Sequence, residues 1–275
     1  MIIVTGTKRS GTSLWMHLLV EGGLPHIGER FPGGWGELLR DANPDGFFES
    51  ELVAGINHRT NPHPMTGAYL HPAATERHAV KVFIPGLVRS DVAFLDRCIA
   101  TVRDWRSYVR SMRRMDGLMH ARGLGPDGPA VLPPALEWWC QNYALIRDLA
   151  IRGYPAHVLS YDALLRDPAA VVTEVMSWVG HGDPERAAAV VRIPTTTTTP
   201  EDGAGDVPDA LLADRVAPEH LAVFDALYEA IDRGRPLDAA LIERLNRTND
   251  ALRPIVLERQ ANVDAETIAD IIGRQ

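Results

Sequence analysis

Between Gly6 and Ser13 the chain reads Gly-Thr-Lys-Arg-Ser-Gly-Thr-Ser, with Lys8 and Arg9 inside a pair of glycines and the hydroxyls of Thr12 and Ser13 behind them. This is the spacing of a phosphate-binding loop, G-x-x-x-x-G-K-[ST], except that Thr12 stands where the pattern has lysine. The backbone N–H groups of such a loop converge on one point, and the following helix turns its positive dipole end toward it, which favours an anion. Transfer of a nucleoside triphosphate's phosphoryl group uses the lysine on the β/γ-phosphates and Mg²⁺ on the hydroxyl. Here Arg9 brings a permanent charge and a planar fork inside the loop instead. The loop suits a shorter anionic group held by Lys8, Arg9, Ser10, Gly11, Thr12 and Ser13 without the triphosphate apparatus.

Such a loop needs a strand in front and a helix behind, and both are legible. Residues 2–5 form a β-branched run of the kind buried on both faces of a parallel sheet. Residues 13–21 then read as a helix ended by Gly22 and Gly23. Further strands are expected at 79–84, 97–102 and 156–160. A short helix is expected at 49–58, and longer ones following Asp104 and at 135–151, 169–179, 209–233 and 237–275, with Trp138 and Trp139 in the core. Strands alternate with helices, which predicts a three-layer α/β sandwich with a central, mainly parallel sheet and the phosphate loop after the first strand. No repeat or linker divides it, so 1–275 reads as one domain. Residues 24–78 and 116–133, rich in glycine and proline, read as irregular excursions shaping a substrate pocket, and 192–208 as a candidate lid.

The formal net charge of −8 excludes a general nucleic-acid or anionic-membrane surface, so a polyanionic ligand must be met by a local cluster of cations. Two cysteines, Cys98 and Cys140, both in segments read as buried, predict free thiols rather than a disulfide framework. The first apolar run is too short for a signal peptide and no run has the roughly 20 apolar residues of a membrane span, which predicts a cytoplasmic protein. His58, His63, His71 and His78 have no compact metal-ligand spacing, and no metal is expected.

The stretch Lys8-Arg9-Ser10-Gly11-Thr12-Ser13 resembles the 5′-phosphosulfate loop of sulfotransferases that use 3′-phosphoadenosine 5′-phosphosulfate (PAPS), many bacterial members of which read x-R-S-G-T-[TS]. Three further segments carry the resemblance in the same order. Asn-Pro-Asp-Gly-Phe-Phe-Glu at 43–49 is similar to a stretch common in bacterial members. Arg103 at a strand end, with Ser111 eight residues on, is similar to the pair that holds the 3′-phosphate. Residues 159–168, Leu-Ser-Tyr-Asp-Ala-Leu-Leu-Arg-Asp-Pro, are similar to an element whose tyrosine, here Tyr161, lies near the adenine. The resemblance covers 6–168 and implies transfer of a sulfuryl group from PAPS to a hydroxyl of a small molecule or glycan, leaving adenosine 3′,5′-bisphosphate. Arg9 falls on the position that contacts the bridging oxygen.

Cytosolic members of that family carry Lys-Thr-His where this chain has Lys81-Val82-Phe83, so the histidine base is absent and Phe83 stands in its place. The resemblance then implies a glutamate base from the segment after the loop. Glu49, between two phenylalanines and Ser50, ranks first, followed by Glu29 and Glu37. Two other functions are kept open: a kinase with a degenerate loop, whose metal ligand would be Asp104, and a silent nucleotide-binding protein. Arg106, Arg110, Arg113 and Arg114 crowd the helix after Arg103, and about one in four is expected to touch a ligand. The segment 237–275 reads either as part of a packed terminal helix pair or as a homodimer contact.

Overall fold

The computed structural model describes residues 1–33, 40, 43–123, 132–192, 213 and 216–273, the last dozen as backbone only. Glu37, most of the 192–208 segment and the middle of the 116–133 segment lie outside these residues. Five parallel strands form one sheet in the order β2-β3-β1-β4-β5, with β1 Ile2–Gly6, β2 His26–Ile27, β3 Ala79–Lys81, β4 Arg97–Val102 and β5 Ala156–Ser160. The helices are α1 Thr12–Glu21, α2 Ile84–Leu87, α3 Trp105–Ala121, α4 Pro134–Arg152, α5 Tyr161–Arg166, α6 Pro168–Val179, α7 Pro184–Ala188, α8 Pro218–Asp232 and α9 Ala239–Gly273.

The strands read as unbroken apolar runs because both faces are covered. Ile2 and Val4 of β1, Ala79 of β3 and Ile99 of β4 turn to one side, against Trp15, Met16, Leu18 and Leu19 of α1 and Val172, Val175 and Met176 of α6. Ile3, Val80, Cys98 and Ala100 turn to the other, against Leu87 of α2 and Leu145 of α4. A third cluster joins α3, α4, α8 and α9: Phe224 stacks on Trp139 at 4.7 Å and meets Trp138 at 5.4 Å and Trp105 at 6.3 Å. The three-layer α/β sandwich expected from the alternation is the fold observed. Both cysteines are free thiols, Cys98 buried and Cys140 partly so.

Several boundaries differ from the sequence reading. The strand expected at 79–84 ends at Lys81, because Ile84 and Pro85 begin the short α2. The excursion read at 24–78 contains an edge strand, β2, and an antiparallel bridge between Glu29 and Glu49. The helix expected at 49–58 is a single 3₁₀ turn, Glu51–Ala54, stopped by Gly55 at φ +108°. The segment from 116 is helical as far as Ala121, because Leu118 and Met119 continue the amphipathic pattern that Gly117 alone does not break. The terminal segment is one 35-residue helix, α9, which packs against α8 through Leu245 and Leu252. No helix among the described residues is long and apolar enough to cross a membrane.

In an open parallel sheet ligands gather beyond the carboxyl ends of the strands, where consecutive connections diverge to opposite faces. Here that place is the end of β1, which has β3 on one side and β4 on the other. The turn leaves β1 through Gly6, whose missing side chain admits Ser10 and the Thr101 carbonyl of β4: a Cβ there would lie 2.3 Å from Ser10 Oγ and 2.5 Å from Thr101 O. Gly6→Ala is therefore expected to lower the unfolding free energy by ~2 kcal/mol or more in urea titrations. Gly117→Ala, in open space inside α3, should leave it unchanged or raise it by up to ~1 kcal/mol.

Candidate functional site

The loop after β1 is a tight turn, with Ser10 N–H donating to the Thr7 carbonyl (3.2 Å) and Ser10 Oγ donating to the same oxygen (2.7 Å). Thr101 Oγ1 of β4 holds it from below by donating to the Ser10 carbonyl at 2.9 Å. Arg9 takes a left-handed backbone conformation, φ +65°, and Gly11 follows at φ +102°. Alternation of this kind points successive N–H groups into one concavity, and such nests bind anions. Helix α1 starts at its rim with Gly11 as N-cap and no side-chain cap, so its first N–H groups face the same concavity.

Three other strand ends deliver side chains to this turn. Arg103, just past β4, donates from Nη1 to the Arg9 carbonyl at 3.2 Å. Its own carbonyl accepts from Trp138 Nε1 at 2.8 Å, so the aromatic cluster beneath fixes its backbone. Ser111, two turns into α3, accepts from Arg9 Nε at 3.2 Å. Tyr161, at the start of α5, lies against Gly11, where a Cβ would come within 2.6 Å of its ring, and the Arg103 guanidinium sits 5.1 Å from the ring centroid. Arg9, Arg103, Ser111 and Tyr161, distant in sequence, thus form one wall. Burial, then Arg103, then Arg114 push the Arg9 guanidinium down to about 10, with Tyr161 opposing. Two polar atoms of this wall, Arg103 Nε and Thr7 Oγ1, are buried with no hydrogen-bond partner among the described residues. Buried polar atoms are nearly always satisfied, by protein, ordered water or a bound group.

The other wall is built on Lys81 at the end of β3. Its side chain is 3% exposed, and Nζ donates to Glu49 Oε1 at 2.6 Å, Ser13 Oγ at 3.1 Å and the Phe47 carbonyl at 3.1 Å. Glu49 keeps 18% of its side-chain surface open to solvent, against 3% for Lys81, so an incoming molecule can reach the carboxylate but not the ammonium. Ser13, in the first turn of α1, links this ion pair to the loop. Backbone strain lies beside it: Phe48 takes φ +53°, an outlier for a bulky residue, and its ring packs against His17 and Arg30. Glu29 and Glu49 are bridged through their backbones, Glu29 N–H to Glu49 O at 2.9 Å and the reverse at 3.1 Å, while the Glu29 side chain is exposed.

Of the residues singled out from sequence, Arg9, Ser10, Gly11, Thr12, Ser13, Lys81, Glu49, Arg103, Ser111 and Tyr161 therefore come together around the β1 turn. Lys8 is exposed at its rim and acts electrostatically on Asp116 of α3, whose carboxyl burial raises and Lys8 lowers. Arg106 does not face the turn; it reaches to Asp225 of α8. Asp104 caps α3, its Oδ1 accepting from Ser107 N–H at 2.9 Å. Thr101 was not foreseen; a hydroxyl among the apolar residues 98–102 was the available signal. Of the four arginines expected to crowd the helix after Arg103, Arg114 is the one that acts on Arg9. No group of three or more His, Cys, Asp or Glu that could hold a metal occurs among the described residues. Comparison with protein-family models and with curated proteins finds no match.

Burial holds the Lys81 ammonium below its ordinary 10.5; Glu49 pulls it up, and Arg9 and Lys8 add to the downward push. Between that depressed value and 10.5 the unfolded chain keeps a proton that the folded chain has released, so this residue makes stability rise with pH. Relative to Lys81→Met, the wild-type chain is expected to gain stability as pH is raised toward 10.5. Denaturant titrations of both chains across that range measure it; a constant or falling difference would contradict the dominance of burial.

Proposed function

We propose that this protein is a PAPS-dependent sulfotransferase acting on a hydroxyl of a small molecule or glycan. The observation that carries the reading is the convergence of Arg9, Arg103, Ser111 and Tyr161 on one anion-binding turn, with a solvent-reachable glutamate on a buried lysine at its other side. The residues fit the donor chemically. Arg103, with its orphaned Nε, and Ser111 suit one phosphate; the N–H groups at 10–13 and Arg9 suit a second anionic centre; the Tyr161 face suits an adenine. Bound there, PAPS would supply an electrophilic sulfuryl group on a phosphate leaving group.

Glu49 then receives the proton that the acceptor hydroxyl loses as its oxygen bonds to sulfur. Arg9 and the loop N–H groups stabilise the negative charge left on the phosphate oxygen, a preorganised electrostatic contribution that needs no rearrangement during reaction. Lys81 holds the Glu49 carboxylate in one orientation and, through Ser13, keeps it in register with the loop. The charge is supplied by side chains, so the mechanism uses no metal. The same reading places the protein in the cytoplasm. The kinase alternative is disfavoured because Asp104, its best metal ligand, is engaged in capping α3. The silent-binder alternative differs only in having no use for Glu49.

Adenosine 3′,5′-bisphosphate is expected to bind more tightly than Mg·ATP in calorimetry, and Arg103→Ala to weaken it about tenfold or more, as loss of a charge-assisted hydrogen bond would. Equal affinity for the two nucleotides would refute the donor assignment. Glu49→Gln should keep nucleotide affinity while lowering transfer from radiolabelled PAPS, across a panel of hydroxylated metabolites and glycans, by about 100- to 10,000-fold. Full activity in that variant would move the base to Glu29.

A further inference from the structure

Helix α8 is far from the turn in sequence, yet one stripe of it is bonded to both segments that carry the nucleotide wall. Asp225, Tyr228 and Asp232 lie at i, i+3 and i+7, on one side of the helix. Asp225 accepts from Trp105 Nε1 at 2.8 Å and takes Arg106 in a bidentate pair, Nη1 to Oδ1 at 2.5 Å and Nη2 to Oδ2 at 3.1 Å. These are the second and third residues after Arg103. Tyr228 OH donates to Asp162, and Asp232 accepts from Ser160 Oγ and from Arg166 Nη2, the latter at 2.9 Å. Ser160 and Asp162 are the residues immediately before and after Tyr161. The same Ser160 Oγ accepts from Ala163 N–H at 2.8 Å and so caps α5.

We infer that Asp225, Tyr228 and Asp232 are positioning residues for the nucleotide pocket, clamping the β4–α3 corner and the β5–α5 corner so that Arg103 and Tyr161 meet over Gly11. The inference rests on the reading of that wall as a nucleotide site. The β4–β5 pairing that brings the two corners side by side ends at Val102 and Ser160. Beyond it no strand hydrogen bond sets the spacing of Arg103 from Tyr161. A rigid helix bonded to both corners supplies that missing constraint, with the buried side chains Leu221, Phe224, Leu227 and Ile231 anchoring it to the core. The clamp also disposes of charge. Arg106 and Arg166 are drawn to α8 carboxylates, which leaves Arg103 as the cation of its corner directed at the pocket. The six bonds involve polar or charged partners on one face, whereas plain packing of α8 needs only its apolar face.

The test uses Asp225→Asn, Tyr228→Phe and Asp232→Asn, singly and together, in the full chain, each assayed well below its own melting midpoint. Adenosine 3′,5′-bisphosphate and Mg·ATP are the calorimetric probes. The combined variant is expected to bind the nucleotide preferred by wild type about tenfold more weakly, equivalent to ~1.4 kcal/mol. Asp225→Glu should recover part of that loss. Glu229→Gln, which breaks exposed pairs with Arg233 and Arg235 rather than a bond to either corner, should change nothing. A lowered melting midpoint with unchanged nucleotide affinity would show that the stripe is structural only and overturn the clamp, while leaving the function proposed above intact. If wild type prefers Mg·ATP, that function fails, but weaker Mg·ATP binding by the variants still supports the clamp. If wild type binds neither nucleotide, both fall.

Discussion

Concentration of positive charge at the carboxyl edge of the sheet is the constraint around which this molecule is organised. Burial first, and then Arg103 and Arg114, depress the Arg9 guanidinium, and burial, with smaller pushes from Arg9 and Lys8, depresses Lys81 against the pull of Glu49. Like charges brought together in partly desolvated surroundings repel more strongly than they would in water. A chain of net charge −8 does not collect such a cluster by accident of composition. It must be held by the rest of the fold. The apolar layers on the two faces of the sheet therefore do more than stabilise a domain: they hold the cations against their mutual repulsion.

Each part of the scaffold meets one aspect of that task. Parallel pairing brings the ends of β1, β3 and β4 side by side, so that the turn, Lys81 and Arg103 arrive from one edge. Glycines at 6 and 11 let the backbone approach Thr101 and the Tyr161 ring more closely than any side chain would permit. The buried Lys81 has its charge answered by Glu49 and its remaining protons by Ser13 and the Phe47 carbonyl, which is the condition under which a buried cation is tolerable. The aromatic cluster of Trp105, Trp138, Trp139 and Phe224 anchors the backbone at Arg103 from beneath, through the Trp138 N–H.

Much of this was legible in the residue order. The β-branched run at 2–5, the double glycine of the loop and the helix that follows are local features, and local features are written in consecutive residues. Arg103 and Ser111 were singled out only through their resemblance to the 3′-phosphate pair of the PAPS sulfotransferases, not from any local period. Boundaries were less legible where propensities conflicted. The apolar run at 79–84 reads as strand throughout, but the pairing of β3 with β1 ends at Lys81 and Pro85 starts a helical turn. The helix α3 extends past Gly117 because one glycine costs only about 1 kcal/mol against a continuing amphipathic pattern. The edge strand β2, two residues long, had no signal because so short a strand has no period.

By itself, then, the sequence determined the fold class and the residue types gathered in the loop, since strand and helix periods, turn glycines and the type of each charged residue are properties of the chain as written. Only the tertiary structure decided which charges meet. Among the candidate glutamates it brought the Glu49 side chain onto Lys81 and left that of Glu29 exposed, although the two share a backbone bridge. It turned Arg106 toward Asp225 and Arg103 toward Arg9, although only two residues separate them. The physical reason is that a charge is stabilised or opposed by what surrounds it in space. Those surroundings come from strands and helices up to 120 residues away, such as Asp225 on Trp105, whose approach is set by packing rather than by any local pattern.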